Sequence, residues 1–254
     1  MQTKEQKSDA EILIYGLRPV MEAIRAGKEV EKLFVQTGLK NELSGELMAL
    51  LKKNEIPFQY VPQEKLDRLT RQNHQGVVGY LAVVTYQKIN DVLLRVFEEG
   101  KTPLVLILDR ITDVRNFGAI ARTAECSGVH AIVIPSRGGA QINADAIKTS
   151  AGALHKVPVC REDNLNVVIE HLRESGLQVI ACTEKTTDMY YTLDYTLPVA
   201  IIMGSEENGV SQEYLESCDS LAKIPLLGGI ASLNVSVAAG VVLYEAIRQR
   251  QLNL

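Results

Sequence analysis

Five short apolar runs in the second half of the chain most constrain its fold. They are LVLILD (residues 104–109), AIVIP (131–135), LQVIACT (177–183), PVAIIMG (198–204) and AKIPL (222–226). Each run has the length of a strand, and helical patterns lie between them. Strands that are apolar on both sides are buried on both faces, which is typical of a parallel sheet covered by helices. The sequence therefore predicts an α/β domain that ends in a long helix from about residue 233.

The first part of the chain predicts a smaller α/β unit. Helical patterns at 18–26, 43–53 and 63–72 alternate with strand patterns at 32–36, 58–61 and 77–86. A further helix is predicted at 91–99. We therefore expect a disordered tail (1–10), a first unit (11–86), a linker and lead-in helix (87–102) and a second unit (103–254).

Composition argues against several classes of protein. No apolar run approaches the roughly 18 residues of a membrane span, and the polar N-terminus has no signal-peptide core. The four cysteines form no CxxC pair, and the four histidines lack the spacing of metal ligands. We expect a cytoplasmic protein with reduced thiols, no membrane and no metal.

Charge is distributed unevenly along the chain. The net charge is −4, which is unlike a protein that coats nucleic acid. Residues 109–161, however, include seven basic and four acidic residues. Residues 183–219 include eight acidic residues and a single lysine. An RNA-binding surface would therefore have to be local.

Polar or glycine-rich segments follow several of the predicted strands. In open α/β sheets, ligands bind at the carboxyl ends of the strands. The segments here are DRITDVRNFG (109–118), TEK (183–185), GSEENG (204–209) and PLLGGIASLN (225–234). None contains GxGxxG or a Walker sequence, which argues against nicotinamide and nucleoside triphosphate sites and against the common methyltransferase fold.

Three of these segments, in order, carry a family resemblance. DRITDVRNFGAIARTAECSG, IMGSEENGVS and IPLLGGIASLNVSVAAGVVLYE resemble the motifs of the SpoU (TrmH-like) RNA 2′-O-ribose methyltransferases. The resemblance implies a SPOUT-type, trefoil-knotted parallel sheet with helices on both faces. It also implies S-adenosyl-L-methionine as the cofactor and a homodimer formed through the catalytic domain. General topology rules would have argued against a knot.

The first unit resembles the RNA substrate-binding domain of the bacterial members, a small L30e-like α/β domain, through NHQGVVG at 73–79. Those members methylate a guanosine of 23S rRNA, or tRNA. The resemblance is closest to the 23S rRNA guanosine subgroup, so rRNA is favoured over tRNA.

The family motifs imply roles for individual residues. Catalytic roles fall on Asn116, Arg122, Glu206 and Asn234, and cofactor binding on Thr183, Gly204, Ile224, Leu226, Leu233 and Asn234. RNA contacts fall on Arg115, Arg122 and Lys148. The chain departs from the family pattern at Arg110, where Gly is commoner, and at Val114-Arg115, where Pro-His-like residues are commoner.

Each motif also has a purely structural interpretation. Asn116 could cap a helix, Arg122 could pair with Glu125, and Ser205 or Glu206 could begin a helix at 207–210. Ser232 is placed to cap the closing helix. A guanidinium does not release its proton near neutral pH, so orientation and electrostatic activation suit Arg122 better than proton abstraction.

The predicted reaction is attack of a ribose 2′-oxygen on a sulfonium methyl group, for which alignment and activation of the alcohol are the main tasks. Two alternatives within RNA biology remain open: a tRNA 2′-O-methyltransferase, and a non-catalytic RNA-binding factor in ribosome assembly. A nucleotide-dependent oxidoreductase is disfavoured because the glycine fingerprint is missing.

Overall fold

The computed structural model describes residues 12–140 and 142–252, and the predicted tail at 1–10 lies outside them. The chain divides into two compact units between Thr85 and Tyr86. Each unit has its own sheet.

The first unit is a four-stranded mixed sheet in the order β1-β4-β2-β3. Strand β4 is antiparallel to β1 and β2, and β3 is parallel to β2. Alternate residues of β2 and β4 belong to two apolar clusters, one with helices α1 and α2 and the other with α3. The elements are β1 (Ile12–Tyr15), α1 (Leu17–Arg25), β2 (Val30–Gln36), α2 (Glu42–Lys53), β3 (Gln59–Val61), α3 (Gln63–Leu69) and β4 (Val77–Leu81).

The second unit is a seven-stranded parallel sheet in the order β11-β9-β10-β6-β7-β8-β5. Helices cover both sides, and the predicted parallel α/β fold is confirmed. The strands are β5 (Tyr86–Gln87), β6 (Leu104–Leu108), β7 (Ala131–Pro135), β8 (Val159–Glu162), β9 (Gln178–Cys182), β10 (Val199–Met203) and β11 (Ser220–Ala222). The helices are α4 (Ile89–Glu98), α5 (Val114–Cys126), α6 (Ala144–Thr149), α7 (Leu165–Glu174), α8 (Gln212–Ser217) and α9 (Val235–Leu252).

Two predicted strands differ from the observed ones. The run at 77–86 is divided: β4 ends at Leu81, and Tyr86 and Gln87 pair with β8 in the other sheet. The run at 222–226 ends at Ala222, because Lys223 turns to exchange backbone hydrogen bonds with Asp188 and Tyr190. Apolar composition predicted these strands, but pairing partners decided where they end.

Arg250, near the end of α9, joins the closing helix to the sheet. Its guanidinium donates hydrogen bonds at 2.9–3.0 Å to four backbone carbonyl oxygens, those of Thr102, Pro103, Tyr195 and Leu197. Burial lowers the pKa of Arg250 from its ordinary value. One side chain thus donates to carbonyls before β6 and before β10. Within the described part of the chain, only that of Pro103 also accepts from a backbone amide, Val199 N at 3.1 Å.

We predict that Arg250→Ala lowers the free energy of unfolding of the second unit by about 3 kcal/mol, because four carbonyls lose a charged donor, among them that of the buried Tyr195. The matched control is Arg248→Ala, which removes an exposed arginine on the same helix that pairs with Glu245. That change should lower the free energy of unfolding much less, because the Arg248 side chain lies in solvent. Urea denaturation measures both, and equal losses would contradict the assignment.

Candidate active site

The parallel pairing of β6 with β10 places two chain segments side by side. Leu108 is opposite Met203 in the register, and the Asp109 amide donates to the Met203 carbonyl at 2.9 Å. Helix α5 begins shortly after β6, where the Asp113 carboxylate accepts a hydrogen bond from the Asn116 amide at 2.7 Å. Asp113, and not Asn116, is therefore the N-cap, which leaves the Asn116 side chain free for other contacts.

Asn116, Glu206 and Asn234 form a closed hydrogen-bonded triangle within one chain. Glu206 Oε1 accepts from Asn116 Nδ2 at 3.0 Å and from Asn234 Nδ2 at 2.8 Å, and Asn234 Nδ2 also donates to Asn116 Oδ1 at 3.0 Å. The Val235 amide lies 3.4 Å from the same Glu206 oxygen. The first turns of α5 and α9 and the segment after β10 thus meet at one carboxylate.

The triangle lies beside a cavity of about 370 Å³ at the carboxyl ends of the strands. Asn116, Glu206 and Val235 contribute to its wall. Its other lining residues come from the segment after β6, the turn after β10 and the segment after β7: Arg110, Ile111, Thr112, Asp113, Gly138, Ser205, Glu207 and Asn208. The cavity is open and lies where these chain segments converge.

Asp109 is a buried carboxylate that links two of these segments. Arg110 donates to it through Nε at 2.9 Å and Nη2 at 3.1 Å, and the Ser211 amide and hydroxyl each donate at 2.7 Å. The hydrogen bonds with Asp109 raise the pKa of the Arg110 guanidinium, although burial opposes the shift. A buried charge needs such partners, so the site rests on a fully paired carboxylate.

Gly204 is required by the fold of the chain itself. A Cβ at Gly204 would lie 2.1 Å from Gly209 C and from Val210 N. Residues 205–209 form a tight turn, with the Gly209 amide donating to the Ser205 carbonyl at 2.8 Å. The alternative helix at 207–210 is wrong, because this turn occupies the segment and α8 begins at Gln212.

The segment at 224–233 differs from the tight turn at 205–209 in its hydrogen bonding. Among the described residues, its backbone groups have no hydrogen-bond partner, and residues 225–233 are exposed. Leu227 and Ile230 are among the apolar side chains that it presents to solvent. Asn234, and not Ser232, caps α9, since its Oδ1 accepts from the Ser236 amide at 3.0 Å.

Thr183 connects this segment to β9. Its amide donates to the Ala222 carbonyl at 2.9 Å, and its hydroxyl oxygen accepts from the Lys185 amide at 3.2 Å. Thr183 therefore lies where the segment at 224–233 leaves the sheet. Burial raises the pKa of the preceding thiol, Cys182, to about 12, so this thiol is not a nucleophile at neutral pH.

The remaining predicted site residues do not line the cavity. Arg115 and Arg122 are exposed on α5, and Lys148 is exposed on α6. The alternative ion pair between Arg122 and Glu125 is wrong, since Glu125 pairs with Lys156 at 3.1 Å. Thr183, Gly204, Ile224, Leu226 and Leu233 also lie outside the cavity lining.

Sequence reasoning missed one segment that lines the cavity. The segment at 136–140 supplies Gly138 and is held by a hydrogen bond from the Ala140 amide to the Ile111 carbonyl at 2.6 Å. Its signal was present, because Ser136-Arg137-Gly138-Gly139 directly follows a predicted strand. The pairing of Asp109 with Ser211 carried no signal, because only folding brings these distant residues together.

Residues 103–244 match the model of the SpoU rRNA Methylase family, and residues 13–87 match the model of RNA 2′-O ribose methyltransferase substrate binding. The chain belongs to the SpoU methylase family. It is 35% identical over 237 residues to the Bacillus subtilis protein named "Putative TrmH family tRNA/rRNA methyltransferase YacO", covering 93% of this chain and 95% of that protein. The predicted family is therefore confirmed.

Two solved structures have folds similar to that of this chain. The AdoMet-bound rRNA methyltransferase from Sinorhizobium meliloti is 26% identical, with a TM-score of 0.60 over 94% of this chain and 87% of that chain. The A. aeolicus TrmH/SpoU tRNA modifying enzyme is 30% identical, with a TM-score of 0.56 over 64% of this chain and 86% of that chain.

Residues 12–140 and 142–252 lack two features, a cluster of metal ligands and a membrane-spanning helix. No group of three or more His, Cys, Asp or Glu side chains in these ranges could hold a metal ion. No helix within them is both long and apolar enough to cross a membrane.

We predict that Gly204→Ala disrupts the turn at 205–209, because the added methyl group would overlap its backbone. The free energy of unfolding should fall by roughly 3 kcal/mol or more. Gly45→Ala is the matched control, since Gly45 lies in α2 with open space around it and gains helix propensity. Thermal unfolding of both variants tests the assignment, and an undisturbed Gly204→Ala protein would refute it.

Proposed function

We propose that this SpoU-family protein transfers the methyl group of S-adenosyl-L-methionine to a ribose 2′-hydroxyl in structured RNA. The Asn116–Glu206–Asn234 triangle is the observation that carries the proposal. It provides fixed amide and carboxylate groups beside an open cavity at the strand ends, which is where α/β sheets bind ligands. The AdoMet-bound relative and the RNA substrate-binding match support the same reaction.

The segment at 224–233 fits the adenosine part of the cofactor. An adenine needs apolar surface and a few hydrogen-bonding groups, and this segment offers both exposed apolar side chains and unpaired backbone groups. The backbone of Ile224, Leu226 and Leu233 would hold the base, with Thr183 and Gly204 at the adjoining strand ends. When bound, the cofactor supplies a methyl group attached to a sulfonium sulfur, which is a good leaving group.

The residues of the triangle orient the acceptor alcohol. Glu206 accepts from both asparagine amides and so fixes their rotamers, which reduces the reorganisation needed when RNA binds. Asn116 and Asn234 then present preset donors and acceptors to the ribose. Arg122 assists by holding a phosphate and by stabilising the negative charge that develops on the 2′-oxygen.

Ribosomal RNA is the proposed substrate, with a guanosine of 23S rRNA as the target. The first unit binds structured RNA, and Arg115, Arg122 and Lys148 contact its phosphates, which exposed cations suit. The 2′-hydroxyl requirement excludes DNA as the acceptor. A tRNA substrate is the alternative, supported by the likeness to the A. aeolicus tRNA modifying enzyme.

We further propose a cytoplasmic homodimer formed through the catalytic unit. Val237 and Tyr244 of α9 are half exposed, and Leu227 and Ile230 are still more exposed, so apolar surface is available for a partner copy. The family's trefoil knot would involve the segment at 183–198. This segment is hydrogen-bonded to Ala222 and Lys223 on one side and to Gln249 and Arg250 of α9 on the other.

We predict that Arg122→Ala reduces kcat for methyl transfer by roughly 100-fold, because the positive charge that stabilises the reacting 2′-oxygen is removed. The affinity for S-adenosylmethionine, measured by calorimetry, should stay unchanged. Arg173→Ala is the control, since it removes another exposed arginine of the same unit, one paired with Asp219. Normal turnover by Arg122→Ala would remove the catalytic role.

We also predict that mapping of 2′-O-methyl positions will find a modified nucleotide in 23S rRNA only when the active protein is present. Total RNA from cells with the protein, without it, and with Asn116→Ala supplies the comparison. A modification confined to tRNA would replace the rRNA proposal. No S-adenosylmethionine binding together with no altered nucleotide would favour a non-catalytic RNA-binding factor.

A further inference from the structure

Arg110, at the carboxyl end of β6, has an unusual backbone conformation. Its φ angle is +55°, in the left-handed region that favours glycine. Side chains other than glycine persist there where the surrounding structure holds them, and such positions concentrate at functional sites. The family pattern more often has glycine here, so in this chain a strained backbone accompanies an added guanidinium.

The guanidinium of Arg110 uses a planar, two-pronged interaction with a buried partner. Nε and Nη2 donate to the two carboxylate oxygens of Asp109, whose side chain is only 2% exposed. Ser211 donates twice to the same carboxylate. Two parallel charged hydrogen bonds fix the direction of the arginine as well as its position. Arg110 and Ser211 thus converge on Asp109 from segments that follow β6 and β10.

The same guanidinium also contacts the turn that carries Glu206. Arg110 Nη2 donates to the Gly209 carbonyl at 3.3 Å, and the Gly209 amide closes the turn on Ser205. At the base of this turn, Gly204 is in close contact with Gly209 and Val210, so the backbone has no free space to shift there. Arg110 therefore holds one side of the turn while the crowded Gly204 holds the other.

We propose that Arg110 is a positioning residue that fixes the turn at 205–209 and thereby holds the Glu206 carboxylate between Asn116 and Asn234. The inference rests on the proposed methyl transfer, since Glu206 is the group being positioned. Arg110 lines the same cavity as Asn116 and Glu206, but its Nε and Nη2 donors are engaged by Asp109 and Gly209. It acts through the turn and not on the reacting atoms.

Two substitutions separate this role from general stability. Arg110→Gly removes the guanidinium but relieves the left-handed backbone, so the gain and loss in stability oppose each other. Arg110→Lys keeps a positive charge and the strain but loses the planar fork that reaches Asp109 and Gly209 together. The kcat, which reports how well Glu206 is positioned, should therefore decrease in the order arginine, lysine, glycine at position 110. The thermal stability should not follow that order.

The experiment uses the full-length chain, labelled S-adenosylmethionine, and total RNA from cells that lack the protein. For Arg110→Gly we expect kcat to fall by about 10-fold or more, since small misplacements of aligned groups are costly. The KM for S-adenosylmethionine should stay within about 2-fold, whereas the thermal midpoint should fall by several °C because the buried Asp109 carboxylate loses its arginine. Arg110→Lys should recover part of kcat. Amide exchange at Gly209 and Ser211 should accelerate in Arg110→Gly even without cofactor or RNA.

Glu55→Gly is the matched control. Glu55 has a φ angle of +52° in the first unit, so this change relieves similar strain away from the cavity and should leave kcat at the wild-type value. A wild-type kcat in Arg110→Gly would overturn the positioning role but not the proposed function. A kcat loss matched by an equal loss in cofactor affinity would do the same. A wild-type protein that neither binds S-adenosylmethionine nor methylates RNA overturns the proposed function, and this inference falls with it.

Discussion

Parallel pairing between β6 and β10 is the interaction on which the site depends. The two strands run in register from Val199 opposite Leu104 to Met203 opposite Leu108, so both end at the same level of the sheet. The segments that follow therefore emerge side by side, although Asn116 and Glu206 are 90 residues apart in the chain. Because the strands are buried on both faces, a shift of register would expose apolar side chains, and packing holds the strand ends in place.

The site combines tight and open parts. At its centre, the buried Asp109 carboxylate accepts four hydrogen bonds, and Gly204 has no room for a methyl group. Both features restrict motion of the turn at 205–209. The segment at 224–233, in contrast, leaves its backbone groups to solvent or to a ligand. A ligand that pairs with them stabilises the folded state by mass action. Orientation of the alcohol needs the first property, and cofactor entry and release need the second.

Charged side chains are also distributed differently at the site and outside it. The triangle holds one carboxylate, Glu206, and its partners are neutral amides. The adjoining cavity wall adds three charged side chains, those of Arg110, Asp113 and Glu207. A bound acceptor would therefore meet both charged and neutral polar groups. Two exposed cations that are proposed to contact phosphates, Arg115 and Lys148, lie on α5 and α6 outside the cavity lining. Such a separation suits a polyanionic substrate, because phosphate contacts position the nucleic acid while other groups act on one nucleotide.

The sequence by itself determined the family, the parallel α/β class and the identity of the triangle residues, because continuous apolar runs and ordered motifs are local patterns. It did not determine where β4 and β11 end, that Asp113 and Asn234 are the caps, or that Arg110 donates to Asp109 and Gly209 while Ser211 donates to the same Asp109 carboxylate. The contacts of Arg110 with Gly209 and of Ser211 with Asp109 join segments about 100 residues apart, and the strand ends depend on pairing with other segments. The caps are local hydrogen bonds, but the sequence offered a competing candidate for each. Local pattern reports which surface a residue prefers, whereas only the assembled sheet decides which distant atoms become neighbours.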